Sequence, residues 1–357
     1  MKAWRTYAYG DMRLEDLPEP QVRPGWVKLR IRVVQPSITE ALLFQGVRTY
    51  GHALIESALA SGPAQLFGHE FCGEVVEVGE GVATLRAGDR VAARGSHPDG
   101  IVGFDYPGAL AEYGIFPDSL LARLPDHVSD SEGAAIQPLT DAVAAVHAAA
   151  IRLGDVVVVI GQGSMGLSCL QVARSAGAGC LIAVARRDPV LELSRRLGAD
   201  RVVNARQQDP VAVVREITGG EGADVVIETA GGPAELGLAG NATLIQAARM
   251  LRDNGKVVGV AFDGEAAVLP YAEFRPRSLR FRFPSILDRR LFEKTVTLVA
   301  SGQVDLKPMI THVLDGLEAI PEAFALTAAK AAHGLVNPAQ VVVSRGRATP
   351  RRSEEGL

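Results

Sequence analysis

One stretch, Asp155 to Arg187 (DVVVVIGQGSMGLSCLQVARSAGAGCLIAVARR), leaves this chain few folds to choose from. Val156 to Ile160 is an unbroken run of β-branched residues, as expected of a strand buried on both faces. It runs directly into Gly161, Gly163 and Gly166, which stand at the G-x-G-x-x-G spacing. In that spacing the first glycine permits a tight turn, the second lets backbone approach a pyrophosphate, and the third lets helix and strand pack closely. A helix after Ser164 and Met165 would turn its free N–H groups and positive dipole end toward the phosphates. With a second strand at Leu181 to Val184, the unit is expected to bind a dinucleotide through Gly161, Gly163, Ser164, Met165 and Gly166.

The end of that second strand bears on which dinucleotide. An acidic side chain roughly 20 residues past the turn would bond an NAD ribose, whereas a 2′-phosphate calls for arginine. Ala185 stands where the acid is expected, followed by Arg186 and Arg187, so NADP(H) is the expected cofactor. The open alternative is that the arginines are solvated residues at a helix start and Asp188 takes the ribose.

A chain of 357 residues exceeds one ordinary core and fits two domains. With 37 basic and 41 acidic residues, a net charge of −4 and no long basic stretch, nothing points to nucleic acid. No apolar run approaches the roughly 18 residues of a membrane span, and the charged start is unlike a secretory signal. A soluble cytoplasmic enzyme with a small-molecule substrate is expected. Cys72, Cys169 and Cys180 form no CxxC pair, which argues against a disulfide framework or a cysteine-rich zinc module.

The first region is β-rich. Val27, Leu29, Ile31 and Val33 alternate with Lys28, Arg30 and Arg32, the period of a strand with one buried and one wet face. Gly73 to Gly79 and Gly88 to Ala92 add short strands, and His52 to Leu59 a short helix. From Ser131 strands and helical stretches alternate, implying a parallel, doubly wound sheet that ends at Leu279, Phe281 and Phe283. The expected division is a β-rich domain at 1–130, a dinucleotide-binding domain at 131–284, a segment at 285–345 returning to the first domain, and a disordered tail at 346–357.

In order, Gly68-His69-Glu70, Gly88-Asp89-Arg90-Val91, Ala111-Glu112-Tyr113, Gln137-Pro138-Leu139, Gly161 to Gly166, Gly222-Ala223-Asp224, Ile310-Thr311-His312 and Ala323-Phe324 resemble the medium-chain dehydrogenase/reductase superfamily. The branch it resembles is that of the zinc-type alcohol, polyol and threonine dehydrogenases, over about residues 1 to 345. The resemblance implies an α/β protein with a GroES-like β-rich catalytic domain and a Rossmann domain. It also implies a homodimer or homotetramer, assembled through the sheet edge near Leu279 to Phe283, and a substrate pocket walled by loops 47–67 and 95–107.

The catalytic zinc of that branch is held by a cysteine, by the histidine of G-H-E and by a later cysteine or glutamate. Here Ser37 stands at the cysteine position and Gln137 at the later one, leaving His69 and Glu70 as the good ligands of a weakened site. Zinc is therefore an open question. The structural zinc of the family is not expected, since residues 92–113 contain no cysteine. By resemblance Thr39 bonds the substrate hydroxyl, Glu40 orients His69, and Leu42 replaces a relay histidine. The leading expectation is NADP(H)-dependent interconversion of a secondary alcohol and a ketone. The carbonyl would be polarised by weakly held zinc at His69 and Glu70, or by Thr39, Ser37 and protonated His69. Alternatives are a zinc-independent quinone or enone reductase and a non-catalytic NADP-binding protein.

Overall fold

The computed structural model describes residues 1–49, 51–97, 100–232, 239–261, 271–285 and 288–345. The tail expected to be disordered lies outside the described residues. Residues 156–160 do form the middle of a six-stranded, wholly parallel sheet. Its order is Arg201–Asn204, Cys180–Ala185, Val156–Ile160, Ala223–Glu228, Leu251–Gly259, Arg280–Arg282. Val157, Val158 and Val159 are fully buried, because helices cover both faces of such a sheet. Sequence-consecutive strands leave Val156–Ile160 in opposite directions, so the crevice beyond its carboxyl end lies at the switch point where ligands bind. Asp253-Asn254-Gly255, a tripeptide whose composition suits a turn, is a bulge inside a longer strand. Asn254 adopts φ 60°, a conformation asparagine tolerates, and the register to the neighbouring strand shifts there.

The first domain is built on a second, mostly antiparallel sheet with the order Val313–Asp315, Gln340–Val342, Trp26–Gln35, Glu70–Val78, Arg90–Ala93, Leu121–Arg123. Tyr113–Pro117 also pairs with Trp26–Gln35. Val27, Leu29, Ile31 and Val33 are buried as their alternation requires, but Lys28 and Arg32 are buried too. The wet face expected of this strand is covered at those positions. Lys28 Nζ reaches Glu19 at 2.7 Å, and Arg32 lies within 3.4 Å of Glu74 and 3.3 Å of Asp130, so each charge enters with a partner.

The return of the chain starts later than expected. The helix Arg289–Ala300 puts Leu291, Phe292, Val296 and Val299 into the core that holds the helix Ile136–Ala149, and so belongs with the dinucleotide-binding domain. The crossing follows Ile310. Val313–Asp315 and Gln340–Val342 then join the first sheet, and Leu317, Ile320, Ala323 and Phe324 enter its core. A boundary at 285 follows the end of the last strand, whereas the apolar stripe of Arg289–Ala300 fits the helix it meets. Among the described residues no helix is long and apolar enough to cross a membrane.

Candidate active site

The phosphate turn has the geometry its glycines imply. Gly161 adopts φ 91°, and a Cβ on Gly166 would lie 1.8 Å from the Gly161 carbonyl oxygen, so neither position admits a side chain. Gly163 is the N-cap of the helix Ser164–Ser175 and supplies no side-chain cap, which leaves the first-turn amides available to an anion. Ser164 opens that helix, and Met165 packs partly against the core. Thr229 Oγ1 donates to Ile160 O at 2.9 Å and lies 3.1 Å from Gly161 O, which braces the turn from the next strand. These features fit a dinucleotide diphosphate.

At the end of the second strand Ala185 is buried and Arg186 is exposed. Arg187 is the N-cap of the helix Asp188–Arg196, and its Nη1 donates to the Ala331 carbonyl at 3.3 Å. Asp188 accepts from Asn204 Nδ2 at 2.7 Å, so one of its oxygens is already engaged.

Across the cleft, Ser37 and Glu40 form a capping box that starts the short helix Ile38–Phe44. Ser37 Oγ accepts from Glu40 N at 3.0 Å, and Glu40 Oε2 accepts from Ser37 N at 2.9 Å. The other oxygen, Glu40 Oε1, accepts from Gly68 N at 2.7 Å and His69 N at 3.3 Å, and stands 2.7 Å from His69 Nδ1. Glu40 thus holds the ring of His69 from behind, and His69 Nε2 points past it, 3.8 Å from Glu70 Oε1. Burial alone would depress the imidazole's pKa, but the charge and hydrogen bond of Glu40, helped by Glu70 and Asp141, raise it to about 9. Thr39 lies half-buried on the same first turn, with no partner for its hydroxyl among the described residues.

Several residues that the sequence did not single out complete the site. Gln35 pairs with Glu70 in the sheet register, and its amide donates to Glu70 Oε2 at 2.5 Å. Asn337 and Gln340, brought in by the returning strand, each donate to Gln35 Oε1 at 2.8 Å. Burial raises Glu70 to about 7, against the lowering effects of His69 and the Gln35 hydrogen bond. Gln137 and His69 both flank Gly95, whose Cβ would lie 3.0 Å from Gln137 Cγ and 3.3 Å from His69 Cδ2. The Gln137 amide donates to Asp141 Oδ2 at 3.2 Å, one helical turn on, and burial lifts that carboxyl to about 6. The spacing Gln137 to Asp141 was visible as an i, i+4 pair. No sequence signal marked Gln35, Asn337 or Gln340.

The fold therefore brings Ser37, His69, Glu70 and Gln137 to one place, but as a poor zinc site. Ser37 Oγ is engaged in capping a helix, Gln137 offers an amide, and no group of three His, Cys, Asp or Glu side chains suited to a metal exists among the described residues. Cys72, three residues past His69, is buried in the core with its Sγ 3.6 Å from Asp130 Oδ1, and burial holds its thiol well above the ordinary range, so it offers no ready thiolate.

Comparison with known proteins agrees with this architecture. Residues 23–126 match the alcohol dehydrogenase GroES-like domain, and residues 164–301 match the zinc-binding dehydrogenase family. The chain is 33% identical to (R,R)-butanediol dehydrogenase of Bacillus subtilis over 91% of this chain and 95% of that protein. It is 32% identical to sorbitol dehydrogenase 2 of Saccharomyces cerevisiae over 85% and 88%. A solved "putative zinc-binding dehydrogenase" from Sinorhizobium meliloti 1021, bound to NADP, superposes with a TM-score of 0.77 at 25% identity, covering 96% of this chain and 98% of that one. The chain belongs to the zinc-type medium-chain dehydrogenase/reductase superfamily. It is an oxidoreductase of the alcohol and polyol dehydrogenase kind, using a nicotinamide cofactor. Neither the quinone or enone reductase reading nor the non-catalytic one finds support among these relatives.

Proposed function

We propose that the protein interconverts a secondary alcohol and a ketone with NADP(H), using His69 as the carbonyl-polarising cation in place of a tightly held metal. The nicotinamide, when bound, supplies or accepts the hydride. Glu40 keeps His69 protonated at neutral pH and fixes the direction of its ring, so that Nε2–H is the proton the ring can offer to a substrate oxygen. Thr39, with an unengaged hydroxyl on the neighbouring turn, is the second donor. Ser37 serves the site by starting the helix that carries Thr39 and Glu40, which narrows the role expected of it. Glu70, held by Gln35, balances the charge of His69.

The NADP preference rests on Arg186 and Arg187 after Ala185, and on an Asp188 already bonded to Asn204. The single observation that carries the catalytic reading is the 2.7 Å Glu40–His69 pair in a site without three good metal ligands. The test is steady-state reduction of short ketones with NADPH and NADH, using protein stripped with a strong chelator. Retained turnover with NADPH is expected. Activity that vanishes on stripping and returns with one equivalent of Zn²⁺ would overturn the metal-free part, and equal or better use of NADH would overturn the cofactor part.

A further inference from the structure

Lys330 lies in the turn that follows the helix Ile320–Ala328, on the segment that crosses back to the first domain. The backbone there is fixed: Lys330 N donates to Thr327 O at 3.3 Å, Leu335 N donates to Lys330 O at 2.9 Å, and Arg187 ties the next carbonyl, that of Ala331, to the other domain. The side chain runs toward the phosphate turn. A Cβ built on Gly163 would meet a single atom within 4 Å, and that atom is Lys330 Nζ at 3.8 Å.

This cation is poorly provided for by the protein itself. Among the described residues Nζ has no hydrogen bond and no ion pair. Its pKa is drawn below the ordinary lysine value by burial and then by the charge of Arg187, with Glu70 opposing. Beside it opens the uncapped N-terminus of the helix Ser164–Ser175, whose partial charge has the same sign. An ammonium and a positive helix end facing each other across a glycine that leaves room for a ligand form a site one anion short.

We propose that Lys330 closes over the diphosphate of the bound dinucleotide from the side opposite the glycine turn, so that the cofactor is gripped by both domains. The anion is the 5′-diphosphate, because Lys330 faces Gly163, while Arg186 and Arg187 stand at the end of the next strand where the adenosine ribose belongs. The proposal rests on the dinucleotide site but not on the choice between NAD and NADP.

Equilibrium titration separates the two. NADPH, ADP and adenosine 2′-monophosphate are titrated into the full-length protein and its Lys330→Gln and Lys330→Arg variants, with thermal unfolding of the unliganded proteins alongside. Lys330→Gln should weaken ADP and NADPH by about tenfold or more, the usual worth of a charged hydrogen bond to phosphate. It should leave adenosine 2′-monophosphate within about twofold, and Lys330→Arg should retain most of the affinity. Unchanged ADP binding in Lys330→Gln, or equal weakening of all three ligands, would overturn the proposal. Tight ADP binding with no binding of adenosine 2′-monophosphate by the parent protein would overturn the NADP reading and leave Lys330 in place.

Discussion

Replacing Glu40 by glutamine keeps the shape of the side chain and removes its charge, which makes it the sharpest probe of the site. The parent carboxylate is completely buried and accepts from Ser37 N, Gly68 N, His69 N and His69 Nδ1. Without that charge, burial is the main influence left on His69, and its pKa should fall from about 9 to the ordinary 6.5 or lower. That fall of about 2.5 pH units is worth roughly 3 kcal/mol. At pH 8 the protonated fraction drops from about nine-tenths to about 3%, so kcat/KM for ketone reduction should fall roughly 30-fold. At pH 5.5 most of the loss should vanish, because His69 protonates in either protein. The stability change has its own sign. The folded pKa of His69 lies above the unfolded one, so its contribution is complete below about pH 6.5 and is lost as pH rises through about 9. The Glu40→Gln variant should therefore be most destabilised relative to the parent at low pH. The assay is a pH profile of kcat/KM from 5.5 to 9.5 with thermal unfolding at each pH. A uniform loss across that range, with no movement of the profile, would show that Glu40 is only a structural brace and that His69 is not the operative cation.

Arg186→Ser with Arg187→Ser should shift cofactor preference from NADPH toward NADH by about tenfold or more, read as the ratio of kcat/KM values; an unchanged ratio would move the ribose contact to Asp188. Gly166→Ala forces a Cβ to 1.8 Å from the Gly161 oxygen. It should cost about 3 kcal/mol or more and abolish dinucleotide binding, checked by denaturant unfolding and cofactor fluorescence. Ser37→Cys with Gln137→Glu would place a thiolate and a carboxylate beside His69, and should raise bound zinc on elemental analysis from well below one equivalent toward one. Light scattering should find a dimer or tetramer, dissociated by Phe281→Glu with Phe283→Glu, since Phe283 is 71% exposed beside a strand that, among the described residues, is the sheet edge.

What could be read from the chain and what could not divide along a physical line. The parallel sheet was legible because consecutive apolar runs, glycine spacing and helix periodicity are local properties, each carried by a window of no more than roughly 18 residues. The pairing of Glu40 with His69 was reached by resemblance, and the capping box at Ser37 to Glu40 was overlooked although its S-x-x-E pattern was present. The Gln35, Asn337 and Gln340 network joins positions some 300 apart and exists only because Gln340–Val342 pairs with Val33 and Val34. Nothing local to Gln35 announces that partnership. Lys330 was missed for the same reason, as an ordinary lysine after a helix whose meaning comes from the glycine it faces. The helix Arg289–Ala300 shows the converse limit: its stripe was readable, but not which domain would receive it.

On the proposed reading, the same residues hold the charges of the site without a metal. A zinc ion would supply positive charge at the carbonyl, and Ser37 and Gln137 in place of an anionic cysteine and glutamate weaken its anchor. What remains around His69 is an imidazole flanked by Glu40 at 2.7 Å, Glu70 at 3.8 Å and Asp141, each of which favours its protonated form. Burial raises the pKa of two of those acids, to about 7 for Glu70 and about 6 for Asp141, and Glu40 accepts from backbone amides and faces the ring itself. Glu40 sits behind the ring at Nδ1, and Glu70 lies near Nε2. A proton added at His69 is therefore stabilised chiefly through Nδ1 and presented at Nε2, which is the polarity that reduction of a carbonyl demands.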